Sequence, residues 1–163
     1  MLFNRDVEGA SLSFHLVDEL RAVPNPANNT ATMYHASCFV CAVHRARRLL
    51  ESLSANRACF RDAVAEVIQL EWRKKHTFLE SFRDPRDAIE HVDGEASDNT
   101  KWSFFNLHND RFCVADGISV EINRASLDRL CSARDGIAEA IIKEYRDSAL
   151  DFLNTVMKPG GGQ

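Results

Sequence analysis

Three residues near the middle of the chain carry the side chains that cleavage of a phosphodiester bond requires. Arg86 and His91 are separated by four residues, and Asp87 follows the arginine directly. When RNA is cleaved by its own 2′-hydroxyl, that hydroxyl loses a proton and the leaving oxygen gains one. Histidine titrates near neutral pH and serves either step, whereas arginine keeps its charge and holds a phosphate through paired hydrogen bonds. We therefore assign acid–base chemistry to His91, phosphate binding to Arg86, and orientation of the His91 ring to Asp87.

The eleven residues from Arg83 to Asp93 resemble the HEPN family, whose motif is an arginine, four to six residues, and a histidine. The polar residue that often follows the arginine in that family is Asp87 here. The resemblance implies a helical bundle over residues 1–157 that forms a homodimer, with the motifs of two subunits meeting in a cleft. It also implies a metal-independent endoribonuclease without a cofactor, of the kind found among toxins and defence proteins.

A helix that carries this motif places the arginine and the histidine on different faces. A step of five residues rotates about 140° around a helix, so Arg86 and His91 do not point in one direction. A site built from two subunits removes this difficulty, and the hypothesis therefore requires a dimer. We also expect Arg86 in the first turn of its helix, where free backbone N–H groups favour anions.

Two other interpretations of the motif remain open. The domain can be a non-catalytic HEPN-like module that binds RNA, a nucleotide, or a partner such as a nucleotidyltransferase or an antitoxin. Nearby acidic residues, which repel RNA, favour that interpretation: Glu90, Asp93 and Glu95. Alternatively, the motif is a chance match in a helical protein of another role, because Arg86–Glu90 and Asp87–His91 are also ordinary surface pairs four residues apart.

A basic segment precedes the motif and an acidic one follows it. Residues 45–86 hold ten Arg or Lys against six acids, and residues 87–121 hold eight acids against two bases, so the motif lies at the junction. We assign Arg73, Lys74, Lys75 and Arg83 as candidate RNA-binding residues that could form a phosphate-tracking rim. The basic run at residues 45, 47 and 48 could extend it, although the sequence does not say whether the clusters share a face. Two solvated faces of opposite charge are the alternative.

Two further clusters have a simpler explanation in packing. Cys38, Cys41 and His44 recur every three residues in a helical segment. This spacing drifts around the helix, and no fourth metal ligand is obvious. We therefore interpret the cysteines as core residues and His44 as a packing or surface residue. Aromatic residues of the later β segment could stack on bases but more often fill a core or an interface: Trp102, Phe104, Phe105 and Phe112.

Periodicity predicts a mostly α-helical fold. Apolar residues at helical spacing indicate helices over residues 11–22, 30–53, 57–82, 85–92 and 126–156. The fourth has Asp84 as its expected N-cap and Pro85 as its first residue. Short β-like runs at residues 102–107, 111–115 and 118–122, with Asp116-Gly117 between the last two, predict a small antiparallel meander or hairpin. The expected architecture is an antiparallel bundle of about five helices with a β insertion before the last one and a flexible tail over residues 158–163.

Length and composition agree with one domain. The chain has 163 residues, 45% hydrophobic and 27% charged, which suffices to bury a core without disulfides or metal. The net charge of −4 argues against non-specific coating of DNA. The five cysteines are expected to be reduced. No apolar run is long enough to span a bilayer, and the first eight residues lack the apolar segment of a signal peptide. We therefore expect a cytoplasmic protein without membrane partners.

Overall fold

The computed structural model describes residues 2–23, 25, 28–94, 106–115 and 118–156, with side chains described except at 91–94, 106, 115 and 154–156. Within these ranges the protein has five α-helices and a three-stranded sheet. The helices are α1 (Leu2–Ala22), α2 (Asn28–Ala55), α3 (Asp62–Glu80), α4 (Arg83–Gly94) and α5 (Arg124–Val156), and a 3₁₀ turn covers Arg57–Cys59. The strands are β1 (Asn106–His108), β2 (Arg111–Ala115) and β3 (Ile118–Glu121). The mostly α-helical fold is confirmed, with the sheet inserted before the last helix.

The sheet is an antiparallel meander in the order β1-β2-β3. His108 pairs with Arg111, and Asn109 in the turn between them has φ 51°, a left-handed conformation that asparagine tolerates better than most residues. Phe112 and Val120 pair across β2 and β3 and are both buried. The inner face of the sheet therefore closes the core. The aromatic residues at positions 102, 104 and 105, the Asp116-Gly117 turn and the tail at 158–163 lie outside the described residues.

Aromatic rings connect the helices inside the core. Phe39 of α2 packs between Phe14 of α1 (ring centroids 6.2 Å apart) and Phe82 (5.9 Å). Phe82 in turn contacts Phe78 of α3 edge-on at 5.3 Å. Phe39 and Phe82 are fully buried. Phe82 lies in the short turn between α3 and α4. Its ring contacts therefore anchor the start of α4 to the core.

Ion pairs between charged side chains also connect the helices. Asp6 of α1 is buried, with 4% of its side chain exposed, and accepts a hydrogen bond from Arg45 Nε of α2 at 3.1 Å. Arg47 of α2 is nearly buried and donates to Glu80 of α3 at 2.9 Å. A carboxylate or guanidinium taken out of water needs such a partner, so these pairs specify how the helices dock.

Several helix boundaries differ from the predicted ones. The first helix starts nine residues earlier than predicted, because Phe3, Val7 and Ala10 are buried at helical spacing. The predicted third helix is interrupted, since Phe60 is extended (φ −127°, ψ 153°) and α3 begins only at Asp62. The last helix begins at Arg124 and is capped by Asn123, whose side-chain oxygen accepts the Ser126 amide at 2.9 Å.

The last helix has two unlike halves. Its buried residues Leu127, Leu130, Ala133 and Ile137 all belong to the N-terminal half. Large apolar side chains of the other half are exposed: Ile142, Tyr145, Leu150, Phe152 and Leu153. In the part of the chain that the structure describes, no helix has both the length and the apolar composition needed to cross a bilayer.

Candidate functional site

The helix that carries the candidate motif is anchored by three buried side chains. Phe82 precedes α4, and Pro85 and Ile89 face the core on it. The helix begins at Arg83, two residues before the predicted start, so the assignments of Asp84 as N-cap and Pro85 as first residue are wrong. The Arg86 amide donates to the Phe82 carbonyl oxygen at 3.3 Å. Arg86 is thus the fourth residue of α4 and its own amide is not one of the free N–H groups of the first turn, so Arg86 offers its guanidinium to an anion.

The Arg86 guanidinium is held by two carboxylates of its own helix. One terminal nitrogen contacts Asp87 Oδ1 at 3.0 Å and the other contacts Glu90. The hydrogen bond from Arg86 is the main cause that lowers the pKa of Asp87. About a quarter of the Arg86 side chain, 28%, is exposed, so an anion from solvent can reach it but competes with both carboxylates.

A buried histidine of α2 lies within the electrostatic reach of this group. His44 is 6% exposed, and its Nδ1 has no hydrogen-bond partner among the described residues. Burial lowers the pKa of His44, and the charges of Arg86 and Arg47 lower it further, whereas Asp87 acts in the opposite direction. The imidazole is therefore neutral at physiological pH. Sequence reasoning left His44 as a packing or surface residue; its position four residues after buried Val40 was the signal that it faces inward.

The catalytic histidine of the hypothesis is placed only by its backbone. His91 belongs to α4, which runs without interruption from Arg83 to Gly94. The 140° separation from Arg86 therefore applies. The side chain of His91, and with it the expected contact with Asp87, lies outside the described residues.

The candidate RNA-binding residues differ in exposure and in their ion pairs. Arg73 and Lys74 are exposed on α3. Lys75 is mostly buried in an ion pair with Glu71, four residues earlier on the same helix. Arg83 is exposed and pairs with Glu80 at 3.4 Å. The charge of Lys75 is thus used internally, while Arg73 and Lys74 stay accessible to a ligand.

The arginines of the basic run of α2 also differ in exposure. Arg47 points inward and bridges Glu80 and Glu51, whereas Arg45 and Arg48 are exposed. The run does not end the helix, because α2 continues to Ala55. Its charges therefore lie too far from the C-terminal carbonyl groups to interact with the helix dipole.

The cysteines of α2 are half-buried and unpaired. Cys38 and Cys41 are free thiols, and burial raises the pKa of the Cys41 thiol, which favours its neutral form. Across the described ranges, His, Cys, Asp and Glu side chains form no group of three that could hold a metal ion.

Comparison with known proteins adds no assignment, since no family model, no curated protein and no solved structure matches this chain.

Proposed function

We propose that this protein is a cytoplasmic, metal-independent endoribonuclease of the HEPN type, acting as a toxin or defence factor through a site at a homodimer interface. Arg86 holds the scissile phosphate, His91 transfers protons, and Asp87 orients the histidine. The proposal rests on the motif resemblance together with a mostly helical fold in which the motif occupies one continuous helix.

The single observation that carries the proposal is the environment of Arg86. Its guanidinium is partly exposed, and its charge acts on the buried imidazole of His44, which is neutral. The guanidinium contacts two carboxylates of its own helix, those of Asp87 and Glu90. A phosphate that displaces Glu90 from the guanidinium gains two charge-assisted hydrogen bonds, the geometry in which arginine recognises phosphate best.

The first experiment measures cleavage of total RNA by the native protein in EDTA. We expect cleavage to persist, and His91→Ala to lower its rate by about 10²- to 10⁴-fold, the usual contribution of a positioned acid–base group. His15→Ala is the matched control, because His15 is an exposed histidine of α1. Cleavage abolished by EDTA, or equal losses in both variants, contradicts the proposal.

A mixing experiment tests the composite site. Arg86→Ala and His91→Ala subunits are inactive alone, but their heterodimer combines an intact arginine from one subunit with an intact histidine from the other. One of two symmetric sites is thereby restored, so we expect about half of the native activity per dimer. No recovery in purified heterodimer places both residues in one subunit and refutes the composite arrangement.

The ion pairs of Arg86 also support a second candidate function. With two carboxylates satisfying its guanidinium, α4 is equally suited to a non-catalytic module that binds RNA, a nucleotide, an antitoxin or a nucleotidyltransferase. Native protein that binds RNA without cleaving it, with the same affinity after His91→Ala, favours this second function.

A further inference from the structure

Two adjoining concavities form a groove on the side of the bundle built from α3, the sheet and α5. One, of about 310 Å³, lies between the end of α3, β3 and the start of α5. The other, of about 550 Å³, lies between α3 and α5. Phe78 and Arg129 line both, so the two spaces meet at these residues. We call this combined surface the α3–α5 groove.

We infer that the α3–α5 groove binds the phosphodiester backbone of single-stranded nucleic acid without reading its sequence. The polymer is RNA if the proposed function holds, and only that identification rests on the proposed function. The groove itself is defined by residues outside the Arg86 motif.

The charge of the groove comes mainly from three exposed cations. Lys74, Arg111 and Arg129 line it and are exposed. Among the described residues none of the three has an ion-pair partner. Glu121 is the one carboxylate among the lining residues. It lies opposite Arg111 in the pairing of β2 with β3 and accepts a hydrogen bond from Asn123 at 3.3 Å. The groove is therefore locally basic in a chain whose net charge is −4.

An aromatic ring positions the central cation. The Arg129 guanidinium carbon lies 5.3 Å from the centroid of the Phe78 ring, within the range of a cation–π contact. A contact with an aromatic ring uses none of the hydrogen-bonding capacity of the guanidinium, so its N–H donors remain for an anion. Basic side chains interleaved with an aromatic ring are the usual combination in surfaces that track single strands.

Most of the neutral polar groups of the groove are already hydrogen-bonded within the protein. Ser81, Ser126 and Ser132 donate their hydroxyl hydrogens to backbone carbonyl oxygens, and the Asn123 amide is bonded to Glu121. Recognition is thus left mainly to charge, which every nucleotide sequence satisfies equally.

The test uses a fluorescein-labelled 2′-O-methyl uridine 20-mer, which lacks the 2′-hydroxyl needed for cleavage, and the native protein in EDTA. Binding is followed by fluorescence anisotropy between 50 and 500 mM salt, conditions chosen so that counterion release is measurable. Each phosphate contact contributes about −0.7 to the slope of log K against log salt for a single strand, so three cations predict a slope of about −2. We expect Lys74→Ala, Arg111→Ala or Arg129→Ala to reduce that slope by about 0.7 and to weaken binding about five- to tenfold at 50 mM salt.

Arg124→Ala is the matched control, because Arg124 is an exposed arginine of the same helix that pairs with Asp128 and does not line the groove. Its affinity should equal that of the native protein. Absence of binding, equal effects of Arg124→Ala and Arg129→Ala, or equal competition by a poly-glutamate peptide of the same length each overturns the inference. Because the probe cannot be cleaved, these outcomes are independent of whether the protein is a ribonuclease.

Discussion

Removal of the Arg45 side chain tests whether the buried Asp6 carboxylate depends on its partner. Arg45 Nε donates to Asp6 Oδ1 at 3.1 Å, and the two side chains are 57% and 4% exposed. Arg45→Ala leaves a carboxylate between α1 and α2 without a cation among the described residues. A hydrogen bond to a charged group contributes about 1.5–3 kcal/mol, and solvent screening of the exposed guanidinium reduces that figure. We expect a loss of about 1–2 kcal/mol in the free energy of unfolding.

Urea unfolding followed by circular dichroism measures this loss, provided that the slope against denaturant is unchanged. For a chain of this size each kcal/mol corresponds to roughly 2–4 °C in Tm. Arg48→Ala is the matched control: Arg48 is an exposed arginine three residues later on the same helix, without a described ion-pair partner, and its loss should fall within about 0.5 kcal/mol. The reasoning is refuted if the two variants unfold alike, or if Asp6→Asn shows no coupling to Arg45→Ala in a double-mutant cycle.

The remaining predictions concern the core and the environment of the motif. Phe82→Ala should lower the free energy of unfolding by about 3–5 kcal/mol, because the ring is fully buried between Phe39 and Phe78. Phe82→Leu should lower that free energy clearly less. Equal losses for the two variants in a urea titration argue against a role for the ring contacts. Since burial lowers the pKa of His44, the unfolded chain takes up a proton first as the pH falls below about 6.5. Stability should therefore drop from that pH downward until the folded pKa is reached, by at most about 1.4 kcal/mol per pH unit, and His44→Leu should flatten this part of the profile. Arg86→Gln should raise the pKa of His44, observed by NMR titration of the imidazole, whereas an unchanged pKa means that the two charges do not interact.

Regular apolar spacing made the architecture predictable from sequence. On α2 the stripe of Phe39, Val43, Ala46 and Leu50 predicts one inward face, and all four residues are buried. The β insertion was signalled by short runs between turn residues, and the strand at Arg111–Ala115 has the predicted bounds. Spacing of this kind is local, so it is visible without the partner helix.

The parts that sequence reasoning missed depend on partners far away in the chain. The first turns of α1 contain Asp6, a residue that is usually exposed, and its burial depends on Arg45, 39 residues later in the chain. Likewise, Lys75 resembled an available phosphate ligand, yet Glu71 holds it in a mostly buried pair. The orientation of His44 toward Arg86 depends on how α2 and α4 pack, which no local pattern encodes.

The two unlike halves of α5 imply a gradient of local opening along one continuous helix. Beyond Ile137 none of the described side chains of α5 is buried, so the later turns rely on helix propensity and on a few contacts such as Arg61 with Glu144 and Ser148. An isolated helical stretch of about 15 residues is marginal in water. Amide hydrogen exchange should therefore be slowest around Leu130 and quicken turn by turn toward Leu153, approaching the protection of a peptide rather than that of the core.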